Sequence, residues 1–206
     1  MVYPLGNLLN SINNLLVKKI EGLENLPKDT SFVIASNHNG WVDPFVLGKV
    51  IKNRKLYFIA TMSFLWNFMA NLPFSEIGGT VRINMLDKKN VLEPALKKLK
   101  KGHIIGIFPE GIPNKEPGLR KGKTGVARLI LKGKVPVVPI GIQGTLYKWY
   151  NLKMTTKPKK RVIIKIGKPL YFDKYYGKDN DYAVLKKVTK VIMKKIASLI
   201  GQKYLF

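Results

Sequence analysis

The chain predicts an α/β domain: a mixed, largely parallel sheet flanked by helices, preceded by an N-terminal amphipathic helix. Three observations carry this. Short apolar runs of strand length alternate with segments of helical period along most of the chain. A length of 206 residues suits one domain with a substantial core. Cysteine is absent, so packing rather than disulfides must hold that core.

The elements follow in order. Leu5, Leu8, Leu9, Ile12, Leu15 and Leu16 recur at helical spacing, with Asn7, Asn10, Asn13 and Asn14 opposite and Lys18 and Lys19 at the end. Residues 1–20 are therefore expected to form an amphipathic helix that docks on the core or lies in a membrane interface. Residues 21–206 form the remaining domain. Gly22 to Pro27 makes a turn, and Ser31 to Ser36 reads as a buried strand. Pro44 to Lys52 reads as a helix and Leu56 to Ala60 as a strand. Ser63 to Leu72, with Phe64, Trp66 and Phe68, is core or an apolar wall. Thr80 to Ile83 is a short strand. The helix after it starts or kinks at Pro94 and ends in a lysine-rich turn closed by Gly102. His103 to Phe108 is a strand, Pro109 to Lys121 a loop and Lys123 to Leu131 a helix. Val135 to Ile140 is a strand whose two prolines place it at a sheet edge or make it a strand end. Asn151 to Lys160 is a basic loop, Arg161 to Ile166 a strand, and Asp181 to Ile200 a helix with one apolar face.

Composition excludes several chemistries. Without cysteine there is no disulfide, thiolate metal site or cysteine nucleophile, and the chain suits a reducing compartment. Two histidines leave little for zinc, so no metal is expected. No run approaches the ~18 apolar residues of a spanning helix. The first residues lack a basic n-region and a small-residue cleavage site, so no signal peptide is expected. Lys and Arg number 37 against 12 Asp and Glu, a net charge of +25. Such a surface attracts nucleic acid, anionic headgroups or an acidic protein, and in part it is simply solvated lysine.

The chemistry concentrates in Ser36-Asn37-His38-Asn39-Gly40-Trp41-Val42-Asp43-Pro44. An imidazole can take a proton from a hydroxyl, and a carboxylate on its other ring nitrogen fixes the tautomer and stabilises the imidazolium. His38 and Asp43 fit those roles. They also fit an ordinary loop histidine and a helix N-cap before a first-turn proline. Three further segments stand out. Gly78-Gly79-Thr80-Val81-Arg82 places an arginine after a glycine turn. Phe108-Pro109-Glu110-Gly111 places a carboxylate after a buried strand, where α/β sheets bind ligands. Val135 to Ile140 is the proline-rich strand.

Together and in this order, these segments resemble the 1-acylglycerol-3-phosphate acyltransferase family. Asn37, His38 and Asp43 match its Asn-His pair and following Asp. Gly78 to Arg82, Phe108 to Gly111 and Val135 to Ile140 match its later motifs, and Glu21 to Pro27 its lead-in. The similarity spans roughly residues 20–145, and the ordered set is far more specific than any one motif. It implies an acyltransferase domain over 21–206 and transfer from a thioester, acyl-CoA or acyl carrier protein, to the free hydroxyl of a lysophospholipid. The acceptor implied is 1-acylglycerol-3-phosphate, with phosphatidate as product. His38 is the implied base and Asp43 its partner. Arg82, Gly79, Phe108, Glu110, Gly111 and Lys121 are the implied substrate-binding residues, with Arg82 on the phosphate and Glu110 orienting a lysine, an arginine or a glycerol hydroxyl. The thioester is a co-substrate, so no cofactor is implied. The implied site of action is the cytoplasmic face of the cell membrane, as a peripheral or monotopic protein on an anionic surface.

The chain departs from the family at Ile112-Pro113-Asn114, where Thr-Arg-Ser is usual. That removes an arginine suited to a phosphate, which Lys115, Arg120, Lys121 or Lys123 could replace, and it leaves room for another lysolipid acceptor. Gly118 to Gly125 mimics a P-loop, but Pro117 occupies the position that motif needs as glycine. A nucleic-acid-binding reading fits net +25 and nine tyrosines. It accounts neither for Asn37 to Asp43 nor for Phe108 to Gly111, and the basic residues are spread along the chain.

Overall fold

The computed structural model describes residues 16–40, 42–51, 53–61, 79–83, 90–114, 116, 118–145 and 161–206. Among these residues seven strands build one sheet: β1 (Val17–Glu21), β2 (Val33–Ser36), β3 (Leu56–Thr61), β4 (Thr80–Ile83), β5 (Ile104–Ile107), β6 (Val137–Gln143) and β7 (Val162–Ile166). Their order is β1-β7-β6-β2-β5-β3-β4. Every pairing is parallel except β6 with β7. The helices are α1 (Asp43–Gly48), α2 (Glu93–Lys100), α3 (Gly125–Gly133) and α4 (Tyr182–Leu199).

Alternation along β2 explains the two-sided core. Phe32 and Ile34 point to one face, where Val46, Leu47, Val50 and Ile51 of the α1 region cover them. Val33 and Ala35 point to the other, beneath the apolar faces of α2, α3 and α4. Both faces are buried, as a mostly parallel sheet requires. α4 begins where Asp181 accepts hydrogen bonds from the Ala183 and Val184 N–H groups, a side-chain cap on the predicted helix. α2 carries its proline in the first turn and lysines in its last, as predicted.

Two expectations are corrected. Residues 17–20 do not continue an N-terminal helix. They belong to β1, whose Val17 is buried while Lys18 and Lys19 face solvent, and which pairs in parallel with β7. Residues 1–15 lie outside the described part, as do 62–78 and 146–160. The proline-rich strand is not an edge: β6 lies between β2 and β7. Pro139 is tolerated because its ladder is interrupted there. The regular pairing stops at Ile140–Ile166, and a separate bridge joins Val137 to Leu170, leaving one extra residue on the β7 side. The Pro139 carbonyl still accepts the Gly167 N–H at 2.9 Å.

The topology also fixes where a ligand can bind. From β2 the chain runs through α1 towards β3, whereas from the adjacent β5 it runs through α3 towards β6, on the opposite face of the sheet. A crevice outside the carboxyl ends of β2 and β5 follows from this divergence. His38 and Glu110 are the residues that emerge there.

Candidate active site

Asp43 is fully buried at the start of α1, and its side chain does not cap that helix. It turns back instead into the loop after β2. Its Oδ2 accepts from the backbone N–H of Asn39 at 2.7 Å and of Gly40 at 2.9 Å, and lies 2.8 Å from His38 Nδ1. The carboxylate is thus held by two fixed donors and presents the same oxygen to the imidazole. A hydrogen bond at Nδ1 leaves Nε2 as the nitrogen that can take a proton. The His38 side chain is 13% exposed, so the ring is largely desolvated yet reachable.

Phe108 fixes the plane of that ring. Its centroid lies 4.0 Å from the imidazole with 15° between the planes, and Phe58 stacks behind it at 5.7 Å. Phe108 therefore sits between His38 and Phe58. Asn37 anchors the loop from below: its Nδ2 donates to the Ile142 carbonyl and its Oδ1 accepts the Ile142 N–H, both at 2.8 Å. Asn39 Nδ2 adds a bond to the same carbonyl at 3.1 Å. Asn37 and Asn39 thus fasten the loop to β6, because a buried amide must satisfy both its ends.

Among the described residues, Glu110 bonds to backbone and amide donors and orients no basic side chain. It is 2% exposed, its Oε1 accepts the His38 backbone N–H at 2.8 Å, and its Oε2 accepts Asn114 Nδ2 at 2.5 Å and the Arg120 backbone N–H at 2.7 Å. Its described oxygens are spent on the protein. Gly111 turns the loop at φ +83°, and a Cβ there would meet Lys123 Nζ at 2.7 Å. The Lys123 ammonium therefore lies across Gly111, and its backbone N–H donates to the Pro109 carbonyl at 2.8 Å. No carboxylate among the described residues pairs with Lys123.

The other predicted residues divide. The backbone of Arg82 pairs opposite Ala60, two residues beyond the Phe58–Thr80 pair, towards the carboxyl edge of the sheet. Gly79 does not reach that edge. It is buried at the entry of β4, where its carbonyl accepts the Phe58 N–H, so it serves as the turn into the strand. Lys121 is exposed on the loop before α3. The P-loop look-alike is not a phosphate cradle: the Gly122 N–H is bound to the Tyr204 hydroxyl at 2.9 Å and that of Lys123 to Pro109. Among the described residues no group of His, Asp and Glu is arranged to hold a metal ion. Sequence reasoning missed the engagement of Asn114 and Tyr204 with this loop. In the sequence Asn114 is only a departure from a motif, and Tyr204 carries no local signal.

The site thus brings together a buried carboxylate, an imidazole 2.8 Å from it and a crevice at a topological switch point. A family model described as Acyltransferase matches residues 18–143, which include these residues, and the chain belongs to that family. Among individual relatives it is similar to the 1-acyl-sn-glycerol-3-phosphate acyltransferase of Bacillus subtilis, at 32% identity over 74% of this chain and 73% of that protein. It is also 32% identical to the chloroplastic enzyme BAT2 of the same name from Brassica napus, over 61% of this chain but only 37% of that longer protein. The fold matches the crystal structure of the 1-acyl-sn-glycerophosphate (LPA) acyltransferase PlsC from Thermotoga maritima. That match has a TM-score of 0.64 and 23% identity, and it covers 95% of this chain and 81% of the other.

Proposed function

We propose that this protein transfers an acyl group from a thioester, acyl-CoA or acyl carrier protein, to the free hydroxyl of 1-acylglycerol-3-phosphate, giving phosphatidate. The observation that carries the reading is the 2.8 Å contact of His38 Nδ1 with the buried Asp43 Oδ2, in a family whose relatives bear that activity in their names. His38 Nε2 takes the hydroxyl proton as the oxygen attacks the thioester carbonyl. The C–S bond then breaks, and the thiol leaves with the proton returned from the imidazolium. Asp43 balances the imidazolium and keeps the tautomer. A thiolate is a good leaving group, so these steps draw on no metal.

Arg82 and Lys121 are assigned to the acceptor phosphate, and Lys123 joins them because its ammonium crosses Gly111 beside the histidine loop. Lys123→Ala is expected to raise KM for 1-acylglycerol-3-phosphate about tenfold and to leave kcat within about twofold, since a charge-assisted hydrogen bond contributes ~1.5–3 kcal/mol before solvent screening. Steady-state kinetics with varied acceptor checks it. An unchanged KM would remove Lys123 from the phosphate site.

The protein is assigned to an anionic membrane surface, peripheral or monotopic and on the cytoplasmic face. Among the described residues no helix is long and apolar enough to cross a membrane. A net charge of +25 supplies the attraction, at about 1 kcal/mol per basic residue near such a surface. The protein should float with vesicles rich in anionic lipid at low salt and be released at high salt. Failure to float under low salt would reject the assignment.

A further inference from the structure

The loop after β5 holds the backbone of His38 on both sides. The His38 N–H donates to Glu110 Oε1 at 2.8 Å, and the His38 carbonyl accepts the Asn114 N–H at 2.8 Å. Asn114 closes the circuit, because its Nδ2 donates to Glu110 Oε2 at 2.5 Å and to the Gly118 carbonyl at 2.9 Å. His38, Glu110 and Asn114 therefore form a ring of hydrogen bonds around the histidine. Both acceptors around the amide require Nδ2 on that side, so its orientation follows from the network. Asn114 is 6% exposed, which makes each of these bonds costly to lose.

We propose that Asn114 is a positioning residue for His38. It sits where the resemblance places a serine after Phe-Pro-Glu-Gly, in the segment that lacks the family's arginine. In this chain the segment secures the base from above while Asp43 and Phe108 orient its ring. Asp43 fixes one ring nitrogen and Phe108 fixes the plane, but neither sets the height of the peptide that carries the side chain. That height depends on the two backbone bonds of residue 38. A displacement of about 1 Å at a reacting group can cost on the order of a hundredfold in rate. Acceptor affinity need not change, because the Asn114 side chain is buried and its amide is already bonded to Glu110 and Gly118.

The inference rests on reading His38 as the base, and its test separates the two. The variants are Asn114→Ala, Asn114→Ser and His38→Ala, each compared with wild type by acyl-transfer kinetics, thermal midpoint and proton NMR of the imidazole. With two histidines in the chain, a His103→Gln background leaves only the His38 signals. Wild type should give a slowly exchanging, downfield Nδ1 proton, as expected for a ring bonded to a buried carboxylate. Asn114→Ala should shift or lose that signal and lower kcat at least tenfold, with KM within about twofold. Both Asn114 variants keep the backbone N–H to His38 and lose the amide; Asn114→Ser adds back a short donor towards Glu110 and should recover part of the signal and of kcat, and if the alanine variant does not fold, the serine variant is read in its place. A wild-type Nδ1 signal in the folded variant would overturn the proposal whatever the kinetics. Full activity in His38→Ala would instead overturn the base assignment, and the NMR signal would still decide whether Asn114 positions the ring.

Discussion

His38→Ala should lower acyl transfer by about a thousandfold, within the ~10²–10⁴ that a positioned general base contributes. The expectation follows from geometry. His38 presents Nε2 with its tautomer set by a 2.8 Å contact to a carboxylate that is itself pinned by the N–H groups of Asn39 and Gly40. The other histidine in the chain, His103, lies before β5, at the opposite end of that strand from Glu110, and cannot take over. The side chain packs on Phe108 but anchors no strand, so the variant should stay folded. Asp43→Asn is a sharper companion: it keeps the volume but places an amide where three donors converge. Activity should fall by a comparable factor, and a folded variant at wild-type rate would refute the pairing.

The largest effect on stability should come from Glu110→Ala. Its carboxylate satisfies the N–H of His38, the N–H of Arg120 and the amide of Asn114 in a site 2% exposed. Each buried donor left without a partner costs ~1–3 kcal/mol, so the variant should lose about 3 kcal/mol or more. For a domain of this size that lowers Tm by about 10 °C. Circular dichroism melting checks it. A residue that merely lined the substrate would leave Tm almost unchanged, so a shift under about 2 °C would restore Glu110 to substrate binding.

The sheet was legible where pattern is local. Apolar runs bounded by glycine, proline and polar residues marked β2 through β7, and the cap at Asp181 and the lysine-rich end of α2 marked helix limits. β1 was hidden because Val17-Lys18-Lys19-Ile20 extends a helical leucine pattern, while the partner that makes it a strand lies in β7, far along the chain. The interior place of β6 was hidden because proline argues against a central strand, and only the irregular pairing opposite Pro139 resolves that conflict. At the site, the contact of His38 with Asp43 was legible from their spacing. The role of Glu110 was not: its partners belong to segments apart in sequence, and an acid after a strand looks the same whether it faces a ligand or a backbone amide.

The central claim is tested most directly by incubating purified wild-type protein in detergent with 1-acylglycerol-3-phosphate and a panel of acyl-CoA and acyl carrier protein thioesters, and resolving the lipids by mass spectrometry. The same panel is run with monoacylglycerol, which lacks the phosphate. The account predicts phosphatidate with one free thiol released per ester formed, and little product from the phosphate-free acceptor. No ester from any thioester, or equal transfer to both acceptors, would contradict it.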